Sequence, residues 1–225
     1  MKLRIILLSL FLSLVCTIVF AQDYSHEVYN ELDDATYKKI SRRARQEVNL
    51  FTDYLSNIVI KSEKPKYRRD KMNDALKLFV GKGEVYYTYV LDVNDNPIDT
   101  IKHDPVKMQV TSLRDKAPRN LTLKKYLSNL VEQANKKNSI SVTIKTTKWQ
   151  SMKASEIRKL EDGKYVLDVY FEQTYIRQTR DRLIYADKTT KRVTCYIDII
   201  ETDLGTEFIV RLGDIEATDT QAYDA

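Results

Sequence analysis

The last third of the chain alternates apolar and polar residues over long stretches, and this alternation constrains the fold more than any other feature of the sequence. Two of these stretches, 190–201 and 206–212, flank the segment 202–205, which is typical of a hairpin turn. Closing the turn gives three apolar cross-strand pairs: Ile199 with Phe208, Ile197 with Val210, and Cys195 with Leu212. Because side chains alternate between the two faces of a sheet, all six lie on one face. The sequence therefore predicts long antiparallel strands with one buried face.

The first part of the mature chain is predicted to be mainly helical. Asp33 or Asp34 caps a helix whose apolar residues recur every three or four positions as far as Ile58. A tyrosine-rich strand over 84–93 is predicted to pair with 106–113. The other two predicted helices are 66–80, ended by Gly81, and 121–136, capped by Asn120 or Thr122.

A second hairpin is predicted around the turn 161–163. Its register, continued along both strands, brings Trp149 near Tyr175. Two polar residues would then fall on the buried face, so a bulge is expected near 150–156. The strands predicted here are 140–149, 157–160 and 164–176.

This order of elements resembles the nuclear transport factor two-like superfamily, a cone-shaped α+β fold shared with ketosteroid isomerases and polyketide cyclases. The resemblance covers roughly residues 34–212 and rests on element order and on the hairpins at 161–163 and 203–205. It implies N-terminal helices packed on a strongly curved antiparallel sheet, with a pocket between the concave face and the helices. Dimers packed through the sheet are frequent in this superfamily. Its catalysts use a carboxylate or a histidine with a tyrosine in the pocket, and no residue of this chain aligns with those roles.

The N-terminus predicts export. Lys2 and Arg4 form a basic start, residues 5–20 are almost continuously apolar, and small residues precede Gln22. A cleaved secretory signal peptide explains this pattern, and an uncleaved membrane anchor is the alternative. The predicted organisation is a signal peptide (1–21), a mobile leader (22–33), a single α+β domain (34–213) and a frayed acidic tail (214–225). The mature protein is expected in the periplasm or outside the cell, with no membrane attachment after cleavage.

Signal cleavage also changes the charge and the cysteine count. Without Lys2 and Arg4, the 37 basic residues become 35 against 32 acidic ones, a net charge of +3. This excess is too small to predict a nucleic-acid partner. Cys195 is the one cysteine of the mature chain, so no intrachain disulfide is predicted.

No cofactor, metal or catalytic residue is predicted. The segment 92–97 is similar to the calcium-linker motif of cadherin repeats, but a surface turn uses the same residue types, and we expect the turn. The chain has two histidines, His26 and His103, and no zinc, nucleotide or dinucleotide motif. Cys195 falls on the buried face, where a thiol is inert.

Tyrosines and carboxylates share one face of two strands. Asp168 and Glu172 flank Tyr170 at alternate positions, and Tyr196 stands beside Asp198 in the same way. Tyrosine among a few charges is typical of contact surfaces. We therefore predict a non-catalytic domain that binds a partner protein or a small apolar ligand, in the cone or on the sheet face. The candidate binding residues are Trp149, Asp168, Tyr170, Tyr175, Tyr196 and Asp198.

Three kinds of partner are considered. The first is a second copy of the chain or another protein, bound through the sheet, and the second is a small ligand. The alternative function is a small hydrolase or isomerase that uses a pocket Asp or Glu with a Tyr. It requires a deep cavity containing a carboxyl group with a raised pKa.

The third kind of partner is an anionic surface, captured by the basic segments 61–71 and 177–192. Such binding is required to weaken steeply with salt.

Overall fold

The computed structural model describes residues 32–94, 96–114, 117–160, 164–203 and 205–223. The predicted signal peptide and nearly all of the predicted leader lie outside these residues, as does the predicted turn 161–163. Within them the chain is α+β, with three α-helices, an open eight-stranded mixed sheet and a separate two-stranded hairpin.

The first helix, α1 (Asp34–Ile58), confirms the helical spacing of the sequence. The carboxylate of Asp33 accepts a hydrogen bond from the backbone N–H of Thr36 at 2.7 Å, so it caps the helix N-terminus. One stripe of the helix is completely buried: Ile40, Ala44, Val48, Phe51, Leu55 and Ile58. This stripe contributes to the core together with buried residues of the two later helices, among them Ala75 and Leu127.

The other two helices are α2 (Pro65–Lys77) and α3 (Leu123–Asn135). A 3₁₀ turn (Val80–Gly83) follows α2, and Gly81 takes a φ of 56° there, so α2 is shorter than predicted. The hydroxyl of Thr122 accepts a hydrogen bond from the backbone N–H of Lys125, which confirms Thr122 as the cap of α3.

Strands β1 (Tyr86–Leu91) and β2 (Pro97–His103) pair with each other in a separate antiparallel hairpin. The predicted pairing of the first strand with 106–113 is therefore wrong. The carboxylate of Asp92 accepts hydrogen bonds from the backbone N–H groups of Asn94 and Asn96, which closes a tight turn and returns the chain at once. The turn prediction for 92–97 is confirmed.

The large sheet contains β3 (Lys107–Val110), β4 (Arg119–Thr122), β5 (Ser141–Thr146), β6 (Lys153–Ala154), β7 (Arg158–Lys159), β8 (Tyr165–Gln178), β9 (Leu183–Thr202) and β10 (Gly205–Ala222). Their order is β4-β3-β10-β9-β8-β5, and β6 and β7 also pair with β8. One pair is parallel: Met108 of β3 lies opposite Ile215 of β10, and both are buried. The expectation of a wholly antiparallel sheet is wrong here, because β2 occupies the edge of β1 and leaves β3 to join β10.

The register of β9 and β10 confirms the three predicted apolar pairs around the turn 202–205. The strand β10 is longer than predicted. A frayed tail is predicted from residue 214 onward, but residues as far as Ala222 pair with β9. Ile215, opposite Val193, is 1% exposed, so the end of the chain contributes to the core.

The strand between α3 and β8 is interrupted. Arg158 pairs with Val166 beside the predicted turn 161–163, but Tyr175 pairs with Ile144 and not with Trp149. A 3₁₀ turn (Trp149–Ser151) lies between β5 and β6 and shifts the register. The irregularity expected in this region is present, and it moves Trp149 away from Tyr175.

The inner face of the sheet is the face on which α1 packs. It carries the odd-numbered residues of β8 and β9, among them the buried Leu167, Val169, Val193 and Cys195. These residues and the buried stripe of α1 form one continuous core. Among the described residues, no helix has both the length and the apolar character needed to cross a bilayer.

Ile215→Ala tests whether the end of the chain belongs to the core. Truncating this buried side chain is expected to lower the free energy of unfolding by about 2–5 kcal/mol. The matched control is Ile200→Ala on β9, where the side chain is 40% exposed and the expected loss is about 1 kcal/mol or less. Urea denaturation measures both, and equal losses would contradict the placement of Ile215.

Candidate binding cavity

The inner face changes from apolar to polar along β8 and β9. Past the pair Val169 and Val193, the next four inward pairs are Phe171 with Lys191, Gln173 with Thr189, Tyr175 with Asp187, and Arg177 with Tyr185. Polar side chains cannot close a core by apolar packing. A cavity of about 360 Å³ opens over this polar end.

Helix α3 covers the cavity, and β3, β4 and the segment after β3 form its side. Four residues of α3 face it: Tyr126, Asn129, Leu130 and Gln133. The remaining lining, apart from the sheet residues above, is Val110, Thr111, Ser112, Arg114, Arg119 and Leu121. The space between α1 and the sheet, by contrast, is filled by core residues.

Lys191 lies at the boundary between the core and the cavity. It is 3% exposed, and its Nζ donates a hydrogen bond to the backbone oxygen of Gln109 at 2.9 Å. Desolvation by burial lowers its pKa from 10.5 to about 8, although the charge of Asp187 acts in the opposite direction. Lys191 therefore keeps its charge at neutral pH at a cost to stability.

Asp187 and Tyr185 form a hydrogen-bonded pair in the cavity wall. The Tyr185 hydroxyl accepts the backbone N–H of Leu113 at 3.1 Å and donates its own proton to Oδ2 of Asp187. Desolvation raises the pKa of Asp187, which is 5% exposed, while Tyr185 and Lys191 oppose the shift. Desolvation also raises the pKa of Tyr185. The pair thus combines a partly desolvated carboxylate with an oriented hydroxyl.

Two buried polar atoms of the wall have no hydrogen-bond partner among the described residues: Oε1 of Gln173 and Nε of Arg177. Tyr175 lies between them on the same face and donates its hydroxyl proton to Oε1 of Gln133 on α3 at 3.2 Å. Most buried polar groups in proteins are hydrogen-bonded, so two buried groups without a partner in the wall of one cavity require an explanation.

Of the six residues predicted from the sequence, Tyr175 lies in the cavity. Trp149 lies outside the cavity, in the 3₁₀ turn between β5 and β6. The guanidinium groups of Arg42 and Arg45 on α1 are within 6 Å of its ring centre. These contacts are typical of a cation–π arrangement at a partly exposed site.

The other four predicted residues lie on the outward face of the sheet. Asp168 is buried there, paired with Arg158 at 2.9 Å and accepting a hydrogen bond from Thr194 at 3.1 Å. The ring of Tyr196 covers Gly213, where a Cβ atom would come within 2.6 Å of it. Tyr170 is half-buried and Asp198 is exposed. The structure does not bring these four to the cavity, and contact with a partner protein through this face stays a prediction.

Sequence reasoning missed most of the cavity wall. On β8 and β9 the missed residues are Gln173, Arg177, Tyr185, Asp187, Thr189 and Lys191, and the lining residues outside these two strands were missed as well. A signal was present on the two strands, since each of the missed residues there has the same odd-numbered parity as Val193 and Cys195. The basic segment 177–192 was interpreted as a solvated loop, or as a surface that captures anions, because it is a run of charged residues.

Neither metal chemistry nor known relatives identify the cavity. Among the described residues, no group of three or more His, Cys, Asp or Glu is placed to hold a metal ion. Cys195 is buried, which confirms its predicted place in the core, and burial raises the pKa of its thiol. No protein-family model, curated protein or solved structure matches this chain.

Lys191→Met tests the charge buried at the inner end of the cavity. The folded-state pKa of about 8 lies below 10.5, so the unfolded state binds more protons between these two values. The cost of the charged lysine is therefore complete below pH 8 and disappears as the pH rises to 10.5. The free energy of unfolding of the variant, minus that of the wild type, is expected to fall by about 3 kcal/mol over this range.

Urea denaturation at pH 7.5, 9 and 10.5 measures this slope. The control is Lys188→Met, which removes a partly exposed lysine from the outward face of the same strand. The control is expected to show a much flatter dependence on pH. If both variants show the same slope, Lys191 is not a buried charge.

Proposed function

We propose that the protein is an exported binding domain whose cavity takes up a small polar molecule. The observation that carries the proposal is the pair of unpartnered buried atoms, on Gln173 and Arg177, in the wall of a 360 Å³ cavity. Neither atom is accessible to water in the unbound protein, so a ligand reaches them when the Gln173 amide and the Arg177 guanidinium turn toward the cavity. Hydrogen bonds to both atoms then remove the cost of their burial. Cavities of this volume are typical of small-molecule sites.

The polar wall favours a polar ligand over the apolar one expected from the sequence. Gln173, Asp187 and Lys191 are all more than nine-tenths buried in this wall. An apolar ligand would exclude water from these groups without offering hydrogen bonds in return. A polar ligand fits the wall without that penalty.

The proposal includes the cone-shaped class and export. The cavity lies between a helix and the inner face of a sheet of long strands, which is where the superfamily resemblance implies a pocket. Export is supported by the basic start, the apolar stretch and the small residues that precede Gln22.

Asn129→Trp tests the cavity as the binding site. Asn129 lines the cavity from α3 and is itself exposed, so an indole there is expected to obstruct the opening without disturbing the core. A thermal-shift screen of several hundred small polar compounds on the wild type identifies binders. The variant is expected to lose at least nine-tenths of each binder's effect on Tm.

The matched control is Asn73→Trp, an exposed asparagine on α2 outside the cavity. It is expected to bind like the wild type. A screen without binders, or binders that Asn129→Trp leaves unaffected, would contradict the proposal.

A second candidate function is hydrolysis, and the Tyr185–Asp187 pair favours it. A carboxylate with a raised pKa next to an oriented hydroxyl, both facing a cavity, is an arrangement used for acid-base catalysis. In this function Asp187 would accept a proton from an attacking water.

Asp187→Asn distinguishes catalysis from binding alone. The substitution keeps the shape of the side chain and removes the base, so hydrolysis of 4-nitrophenyl acetate in the cavity is expected to slow by roughly a hundredfold. The control is Asp181→Asn, which changes an exposed aspartate in the turn before β9. Equal rates of nitrophenolate release from the wild type and from Asp187→Asn would exclude the catalytic candidate.

A further inference from the structure

The lining of the cavity carries four cationic side chains and one carboxylate. The four are Arg114, Arg119, Arg177 and Lys191, and the carboxylate is Asp187. A cleft with one prevailing sign of charge concentrates ligands of the opposite sign. The excess positive charge therefore favours an anionic ligand.

Lys191 and Arg114 are held by contacts with the protein. Lys191 donates to the backbone oxygen of Gln109 and faces Asp187. Arg114 lies over the ring of Tyr185, 5.1 Å from its centre. These two side chains are held by the protein itself, so their charges add to the field of the cavity without needing a ligand.

Arg177 differs from both. Its Nε is buried without an acceptor, and no ion pair of Arg177 occurs in the part of the chain that the structure describes. A guanidinium donates through five N–H groups and accepts nothing, and its strongest partners are carboxylate and phosphate oxygens. Arg177 is therefore the position at which an acidic group of a ligand would bind.

Gln173 provides the second requirement. It is 6% exposed, its amide is hydrogen-bonded to the side chain of Tyr126, and its Oε1 accepts no hydrogen bond from the described residues. Oε1 is closed to water in the unbound protein, so a donor from the ligand reaches it when the amide turns toward the cavity. Gln173 and Arg177 are four residues apart on one strand face, about 13 Å between their Cα atoms. The ring of Tyr175 lies between them on that face, so one small ion cannot serve both.

Resting on the proposed binding function, we propose that the ligand is a small hydroxylated organic anion. Its carboxylate or phosphate binds Arg177, and a hydroxyl group farther along the molecule donates to Gln173. Inorganic phosphate and aliphatic acids satisfy Arg177 alone. A neutral sugar satisfies Gln173 alone and leaves the guanidinium without an acceptor.

Isothermal titration of the purified protein with five probes tests the ligand class. The probes are gluconate, glucose 6-phosphate, hexanoate, glucose and inorganic phosphate. Gluconate or glucose 6-phosphate is expected to bind at least tenfold more tightly than the other three, and the tighter of these two identifies the acidic group as carboxylate or phosphate. Binding of glucose or hexanoate with the same affinity would overturn the inference.

Two variants with matched controls test the residues. Arg177→Gln is expected to weaken binding of the preferred anion at least tenfold, and Arg180→Gln, an exposed arginine after the same strand, is expected to leave it unchanged. Gln173→Leu is expected to remove the preference for gluconate over hexanoate, whereas Gln178→Leu, exposed on the same strand, keeps it. Gln173→Met replaces Gln173→Leu if the latter does not fold.

The failures of the two proposals are distinguishable. If Asn129→Trp blocks the binders of the compound screen while Arg177→Gln has no effect on any anion, the cavity is a binding site but the ligand class is wrong. If none of the five probes binds, the inference also fails. The proposed function itself fails only when the whole compound screen gives no binder that Asn129→Trp blocks.

Discussion

The structure depends on the period-two alternation of side chains along the inner face of β8 and β9. At one end of these strands the inward residues are apolar, such as Val169 and Val193, and they pack against α1 to form the core. At the other end the inward residues are polar, such as Gln173 and Asp187, and they line the cavity. The strands are continuous through this change, so the packing that fixes the apolar half also fixes the positions of the polar half. The core therefore acts as the rigid support of the site.

Local patterns predicted the elements whose partners are close in sequence. The buried stripe of α1, the Thr122 cap of α3 and the register around the turn 202–205 all follow from residues within a few turns or one hairpin. The parallel pairing of β3 with β10 does not, because Met108 and Ile215 are more than a hundred residues apart. An apolar strand segment can pair with any apolar edge, and only the assembly of the whole sheet selects one. For this reason, pairings between strands that are far apart in the sequence could not be predicted from local patterns.

Most of the site was missed because a run of charged residues is usually a solvated loop. On that ground the residues between the predicted strands 164–176 and 190–201 are predicted to form a loop. In the structure the strands continue through these residues, supported by cross-strand pairs such as Tyr175 with Asp187. Tyr175 alone was predicted, and it was predicted from a register with Trp149 that the structure does not have. Polar residues at inward strand positions lower the stability of the fold, and such departures from the usual pattern are expected at functional sites.

The cost of the polar wall is itself an argument for a ligand. Lys191 is held charged in a buried position that lowers its pKa, and Arg177 keeps a buried N–H without an acceptor. Apolar residues at these inward positions would extend the core of Val193 and Cys195, and well-packed apolar side chains often replace buried charges at no loss of stability. Folding alone therefore does not explain why the wall is polar. A ligand that supplies the missing acceptor and donor explains it, because its hydrogen bonds offset the free-energy cost of burying these groups without partners.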